Sequence, residues 1–336
     1  MATVSSSNAL TLADWAKRVD EGGKVDKVVE MLNQTNPILD DMLFVEGNLP
    51  TGHRTTLRTG LPTVGFRQLN SGVSGSKSKT AQVDEATGIM EALCEVDVDL
   101  AKLNGDQAAF RLSEAQAFLE AMNQTMASTL FYGNQAVAPE QFTGLSPRFA
   151  ASGGANSSNI LKVDATASGA DQASVWLVGW GENSVHGIFP KGSQAGIFHE
   201  DLGEQLIQLD TSVGGGRMKA FVDRWQWKAG LAVRDWRYVV RMANIDIGNL
   251  TNDTTGSTVK LIEYMSRAID RLPGVGGVKP AFYMPRGVYS MLKIQAMNKS
   301  INSLSLTQGL NQFDLSFEGI PIRKTDALLT TEPVLV

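Results

Sequence analysis

The sequence predicts an α+β fold organised around one very long helix, and three observations carry that expectation. Apolar residues recur at helical spacing from Ala108 to Leu130, the stretch from Leu49 to Leu103 has almost no helical period, and strand and helix patterns intermingle from Ser174 onward. The chain has 336 residues, of which 43% are hydrophobic and 19% charged. Those proportions suit one large core or two modest ones.

Residues 1–48 read as a polar leader carrying short helices. Trp15 and Val19 lie one turn apart, and Val25, Val28, Val29 and Leu32 repeat at helical spacing. Pro37 opens another short helix expected to end near Phe44. Each such helix buries only a narrow stripe, so the segment is expected to lie as an arm on something else.

Residues 49–103 read as strand and loop, with Val96, Val98 and Leu100 alternating against Asp97 and Asp99. Charge is sorted along this stretch. Between Thr51 and Val83 every ionised side chain is basic (Arg54, Arg58, Arg67, Lys77, Lys79), and from Asp84 to Asp99 every one is acidic (Asp84, Glu85, Glu91, Glu95, Asp97, Asp99). A long hairpin with one basic and one acidic limb can pair its limbs internally or across subunits, and each exposed pair contributes only about 0 to 1 kcal/mol.

Ala108, Leu112, Ala115, Leu119, Met122, Met126 and Leu130 then define one helix, with Asn104 or Asp106 available as an N-cap and Gly133-Asn134 as the stop. From Asp106 to Phe131 it would span roughly 39 Å. Phe142-Thr143-Gly144-Leu145 reads as strand or turn before a loop rich in small residues.

Ser174 to Trp180 is a compact strand, and Gly181-Glu182-Asn183 turns it toward a second strand near Val185 to Phe189. His199 follows Gly196 as an expected helix start. Further strands are expected at Arg217 to Trp227 and Trp236 to Met242, and helices at Ser257 to Leu272 and after Pro285. Phe313 to Ile322 reads as a returning edge strand, because Pro321 tolerates few ladder partners.

The exclusions are as informative as the elements. Formal net charge is -5, which argues against a general basic surface for nucleic acid and leaves only local, weak DNA contact. Cys94 is the only cysteine, so no internal disulfide forms and the thiol reads as a small buried hydrophobe. Met1 to Leu12 has neither a basic nor an apolar signal region, and no apolar run reaches the ~20 residues a bilayer needs. Synthesis and retention in the cytoplasm, with no membrane contact, are expected.

Catalytic and metal patterns are missing. His53, His186 and His199 are far apart in sequence, with no CxxC or HExxH spacing. GxSxG is absent, and neither Gly214-Gly215-Gly216 nor Gly274-Val275-Gly276-Gly277 matches a phosphate loop. Neither an enzyme nor a bound cofactor or metal is therefore expected. Trp225, Trp227, Trp236 and Tyr238, interleaved with Arg224, Lys228, Arg234, Arg237 and Arg241, could stack nucleic-acid bases. Asp223 and Asp235 among them favour a packed sheet or a subunit contact instead.

The order of arm, two-limbed loop, very long helix, mixed domain and return strand resembles the major capsid proteins of tailed phages with the Hong Kong 97 fold. The run from Asp223 to Asp246, DRWQWKAGLAVRDWRYVVRMANID, is similar to capsid proteins of short-tailed phages of the epsilon-fifteen kind, as are Phe142-Thr143-Gly144-Leu145 and Phe317-Glu318-Gly319-Ile320-Pro321-Ile322. The resemblance implies an N-terminal arm (1–48), an extended loop with flanking strands (49–103), a spine helix and the start of a peripheral domain (104–150), remaining peripheral strands with an axial domain (151–312), and a return strand of the peripheral domain (313–336). It implies a virion shell protein closing into hexamers and pentamers around double-stranded DNA, with separate scaffolding, portal and decoration or cement proteins as partners. One subunit's loop would lie over the next subunit's spine, a heterologous contact that closes rings. Arg54, Arg58, Arg67, Lys77, Lys79, Asp84, Glu85, Glu91 and Glu95 are the candidate intersubunit residues, setting orientation more than affinity. The rival readings are another phage structural subunit, such as a tail tube or portal, and an enzyme of unrecognised class.

Overall fold

The computed structural model describes residues 34–103, 107–150, 155–164, 169, 171–209, 216–251, 261–274, 276–298, 304–308 and 313–335. The arm helices expected before Pro37, the N-cap at Asn104 or Asp106 and the first turn expected from Ser257 lie outside them.

Pro37 does open a helix, α1 (Ile38–Asp41), but it ends earlier than expected, and Phe44 begins strand β1 (Phe44–Glu46). Tyr283 explains the seat of α1: its hydroxyl donates to Asp41 at 2.8 Å and accepts from Trp180 Nε1 at 2.7 Å. β2 (Gly52–Gly60) and β3 (Lys79–Asp97) then form the expected long antiparallel hairpin. The alternation through Val98 and Leu100 is not strand, however. Asp97 accepts the amides of Asp99 and Leu100 and so caps α2 (Val98–Lys102), a local side-chain competition that a two-residue period does not register.

The long helix is α3 (Gln107–Tyr132), 26 residues, or about 39 Å. Ala115, Met122, Met126 and Leu130 are buried as expected, but Leu112 is 63% exposed while Phe110 is buried. The apolar stripe starts on Phe110, whose larger ring packs with Cys94, Val96 and Phe221, so the even spacing misassigned its first turns. After Gly133 come α4 (Leu145–Arg148), which begins at the last residue of the expected strand or turn Phe142–Leu145 and occupies the start of the expected loop, and β4 (Ile160–Lys162).

β5 (Gln172–Trp180) is buried along its whole length, and β6 (Val185–Phe189) follows the expected turn. The two make no hairpin. β6 touches β5 in parallel at Trp180 and Val185 only, and pairs antiparallel with β8 (Gly216–Val233). His199 lies in strand β7 (Ile197–Leu209), not at a helix start, because its ladder with β8 places it opposite Trp225. A 3-10 turn, Trp236–Tyr238, capped by Asp235, precedes β9 (Val239–Asp246).

The remaining described elements are α5 (Ile247–Thr251), α6 (Leu261–Asp270), β10 (Lys279–Met284), α7 (Arg286–Asn298), β11 (Leu304–Gln308), β12 (Phe313–Phe317) and β13 (Ile320–Lys324). Glu318 and Gly319, both at positive φ (50° and 81°), form the two-residue turn between β12 and β13. β13 is not the expected edge strand, since it pairs with both β12 and β10. Pro321 is accommodated because the strand divides its ladders, Ile320 and Pro321 facing β12 and Ile322 to Lys324 facing β10.

The described residues fall into two compact units. The first holds Gln34, Ile89–Met126 and Gly196–Lys228, and its core is Cys94, Val96, Val98, Leu100, Ala101, Phe110 and Phe221. The second holds Thr35–Gly88, Ala127–Ala195 and Ala229–Val336. Its strands run in the order β11-β12-β13-β10-β5-β6-β8-β3-β2, with β9 and β4 branching from β5. α6 and α7 bury Leu261, Met265, Val288 and Leu292 against Val175, Leu177, Val240 and Phe282 of this sheet. β3, α3 and β8 contribute residues to both units.

Candidate assembly surface

The β2–β3 hairpin is rooted by its sequence at two points. The Asn48 side chain accepts the Arg54 amide at 2.7 Å and donates to the Arg54 carbonyl at 2.8 Å, taking the place of a strand partner. Gly52 must be glycine, because a Cβ there would lie 2.0 Å from the Glu85 carbonyl oxygen.

Beyond that root the hairpin is bare. Every residue from Leu61 to Asp84 is exposed, and Phe66 at 110% and Leu69 at 93% are as open as in an unfolded chain. Leu61 and Val64 are nearly as open, and Val73 is exposed to a lesser degree. Clustered apolar side chains open to water are the kind of surface that interaction sites present.

The charged candidates divide into two sets. Arg54 and Asp84 face each other across the hairpin and pair bidentately at 2.6 and 2.7 Å. The guanidinium hydrogen bond holds the Asp84 carboxyl below its usual pKa and raises that of Arg54. Glu85, the next residue, is buried and grips Arg148 of α4 through two hydrogen bonds of 2.6 and 2.5 Å. In the first unit Glu91 accepts from Arg224 at 2.9 Å twice and from Gln226 at 2.8 Å, which lowers its pKa. Arg58, Arg67, Lys77, Lys79 and Glu95 are exposed, and no ion pair within 4 Å engages them among the described residues. The hairpin tip is thus both apolar and cationic.

Two further clusters were not legible as sites in the sequence. In the first unit Arg111 bridges Asp201 and Asp223 at 2.9 and 2.8 Å, while His199 Nε2 lies 2.9 Å from Asp223 and its ring stacks on Trp225. The Trp225 ring is thereby stacked within the first unit. In the second unit His53 and His186, remote in sequence, come together with ring centroids 5.8 Å apart. Among the described residues no group of three or more His, Cys, Asp or Glu could hold a metal ion, and no helix is long and apolar enough to cross a membrane.

The sequence matches the family described as Major capsid protein GP7 over residues 20–336. The chain belongs to the GP7 major capsid protein family. The solved cryo-EM structure of bacteriophage Epsilon15 is similar at 31% identity and a TM-score of 0.79, covering 100% of both chains. Weaker likenesses are the capsid of bacteriophage JBD30 (9% identity, TM-score 0.48, 89% of this chain and 93% of that one) and the SrpI encapsulin of Synechococcus elongatus (11%, 0.44, 70% and 97%). No curated protein sequence matches the chain. As a GP7 family member the protein has the Hong Kong 97-like fold and is a shell subunit of the icosahedral phage head, located in the virion. Assembly with its own copies into hexamers and pentamers is consistent with this membership. Family and fold make it a structural protein and place it in no known enzyme class.

Proposed function

We propose that the β2–β3 hairpin is the extended loop through which one subunit lies over its neighbour, with Phe66, Leu69, Leu61 and Val64 as the apolar contact and Arg58, Arg67, Lys77 and Lys79 as the orienting charges. The observation that carries this reading is the complete exposure of Leu61 to Asp84. Burying a side chain such as Phe66 or Leu69 stabilises a contact by about 1.5–3 kcal/mol, whereas exposed charges mainly set approach and register. Glu95, exposed in the first unit, is a candidate acceptor for those cations on the next copy. Arg54, Asp84, Glu85 and Glu91 keep their internal partners and hold the shape of the element that docks.

The rest of the map follows the same reading: arm 1–48, extended loop 49–103, spine and first peripheral part 104–150, peripheral strands and axial domain 151–312, return strand 313–336. Separate scaffolding, portal and decoration or cement proteins complete the set of partners. DNA is held only by weak, non-specific contact, in keeping with a net charge of -5.

The test is assembly of Phe66→Asp/Leu69→Asp and of Arg58→Glu/Arg67→Glu chains, viewed by negative-stain electron microscopy beside circular dichroism of the soluble subunit. Folded subunits that form no shells are expected for the first pair, and misassembled or fewer shells for the second. Normal particles from both would sink the hairpin contact.

A further inference from the structure

His53 and His186 meet edge to face, their rings inclined at 84°, at the root of the hairpin. His53 sits in β2 opposite Glu85. His186 sits in β6 opposite Ala232 of β8 and has no exposed surface. Both ring nitrogens of His186, and Nδ1 of His53, are buried without a hydrogen bond of proper geometry. A neutral imidazole offers one donor and one acceptor, and leaving them unmet in the interior is unfavourable. Such an arrangement persists only where the surrounding strands hold it.

The charged groups around the pair make a proton unwelcome. Arg234, just past β8, is hydrogen-bonded to the Glu182 carbonyl and Asn183 Oδ1 and opposes a positive charge on either ring. Glu85 of β3 favours charge on His53, but its carboxylate is already taken by Arg148 of α4. Around His186 the one favourable influence is the Gly181 backbone.

We propose that the His53–His186 contact is an acid-sensitive joint: at neutral pH it seats β2 of the hairpin against β6, and protonation unseats it. Burial first, then His53, then Arg234 push His186 down to about 4 from an ordinary value of 6.5. The unfolded or opened chain therefore takes up a proton as pH drops below 6.5 while the seated ring does not. The joint is weakened progressively over that window, and the loss is complete once pH has fallen through the folded value. Its consequence for the shell, a hairpin root that loosens in acid, rests on the hairpin-docking reading. The joint itself lies within one chain.

The experiment uses the full-length soluble subunit before assembly. Exchange of the imidazole C2 hydrogen, followed by mass spectrometry, gives a titration midpoint for each of the three histidines. Amide exchange, corrected for intrinsic rates, is compared at about pH 7 and about pH 4.5 for peptides covering Thr51–Arg58 and Ser184–Phe189. The expected result is a His186 midpoint depressed well below the ordinary value, and about tenfold faster exchange in those two peptides in acid. That rise should vanish in His186→Gln and shrink in His53→Gln, where burial still opposes a proton on His186. A His186 midpoint near 6.5, or an undiminished rise in the variants, overturns the joint. Should His186→Gln fail to fold, the half-buried His53→Gln and the wild-type midpoint still decide. Lost shells in the tip variants with an intact acid response, or the reverse, separates failure of docking from failure of the joint.

Discussion

Arg241 and Glu332 form a buried ion pair at 2.9 Å, each side chain almost closed to water. Glu332 also accepts from the Tyr132 hydroxyl at 2.6 Å and the Ser174 hydroxyl at 2.5 Å. Arg241 donates to the Phe149 carbonyl at 2.9 Å and lies over the Trp176 ring at 5.1 Å. The C-terminal segment thereby locks the end of α3 to β5 and β9. It is helped by Asn244, whose side chain clamps the Leu335 backbone at 2.8 and 3.0 Å.

Removing one partner leaves the other charge buried and unpaired. Arg241→Met is expected to cost about 3–5 kcal/mol in urea unfolding, and Arg241→Met/Glu332→Leu markedly less, since neither charge then remains. Equal loss in the single and double variants would show that the lock is packing and not charge.

Asp84 and Glu85 are neighbours with opposite fates. Glu85→Gln breaks a pair in which both side chains are largely buried and should lower unfolding free energy by about 3 kcal/mol. Asp84→Asn breaks an exposed pair and should leave the thermal midpoint of the subunit unchanged. Calorimetry of the two variants side by side checks the contrast.

Gly230 of β8 passes so close to β3 that a Cβ would stand 2.7 Å from the Ala86 carbonyl oxygen and 3.1 Å from Thr87 Cα. Gly230→Ala should destabilise by about 1–3 kcal/mol through overpacking. A melting temperature equal to that of the unmodified chain would refute the close approach.

Asp326 accepts from Arg286 at 2.6 and 2.5 Å and from the Thr35 amide at 2.9 Å. The Arg286 hydrogen bond first, and the Thr35 amide with it, hold its carboxyl below the ordinary aspartate value of 3.8. Its contribution to stability is therefore present above about 3.8 and is lost as pH falls through the lower folded value. Asp326→Asn should be less stable than the unmodified chain at pH 7 and converge with it in acid, as chemical denaturation at several pH values would reveal.

Cys94 is buried beside Phe110 and Phe221, and burial, then Asp223, push its thiol up to about 11. The folded subunit should resist thiol reagents at pH 8 and react only on unfolding. Rapid labelling of native protein would contradict its burial.

Much of this chain was legible one window at a time. The long helix, the hairpin with its sorted limbs, the Pro37 and Pro285 helix starts and the alternation from Phe313 to Ile322 are all short-range patterns. The errors came where one local signal overrode another. Asp97 capped a helix inside an apparent strand, Phe110 displaced Leu112 from the buried face, and the ladder opposite Trp225 drew His199 into a strand. Among the candidate contact residues, charge sorting pointed to the hairpin but not to its apolar tip. Leu61, Val64, Phe66 and Leu69 recur every two or three positions in a glycine- and serine-rich stretch, and that recurrence was the available signal.

By itself the sequence determined the element types outside Val98–Lys102, Leu145–Arg148 and Ile197–Leu209, the long hairpin, the long helix and the likeness to phage shell proteins, because periodicity and turn chemistry act over a few residues. Tertiary structure alone decided that Glu85 meets Arg148, that Glu332 closes on Arg241 and that His53 meets His186. Those partners are brought together by strand pairing across long loops, and no spacing along the chain encodes which side chains a folded sheet sets face to face.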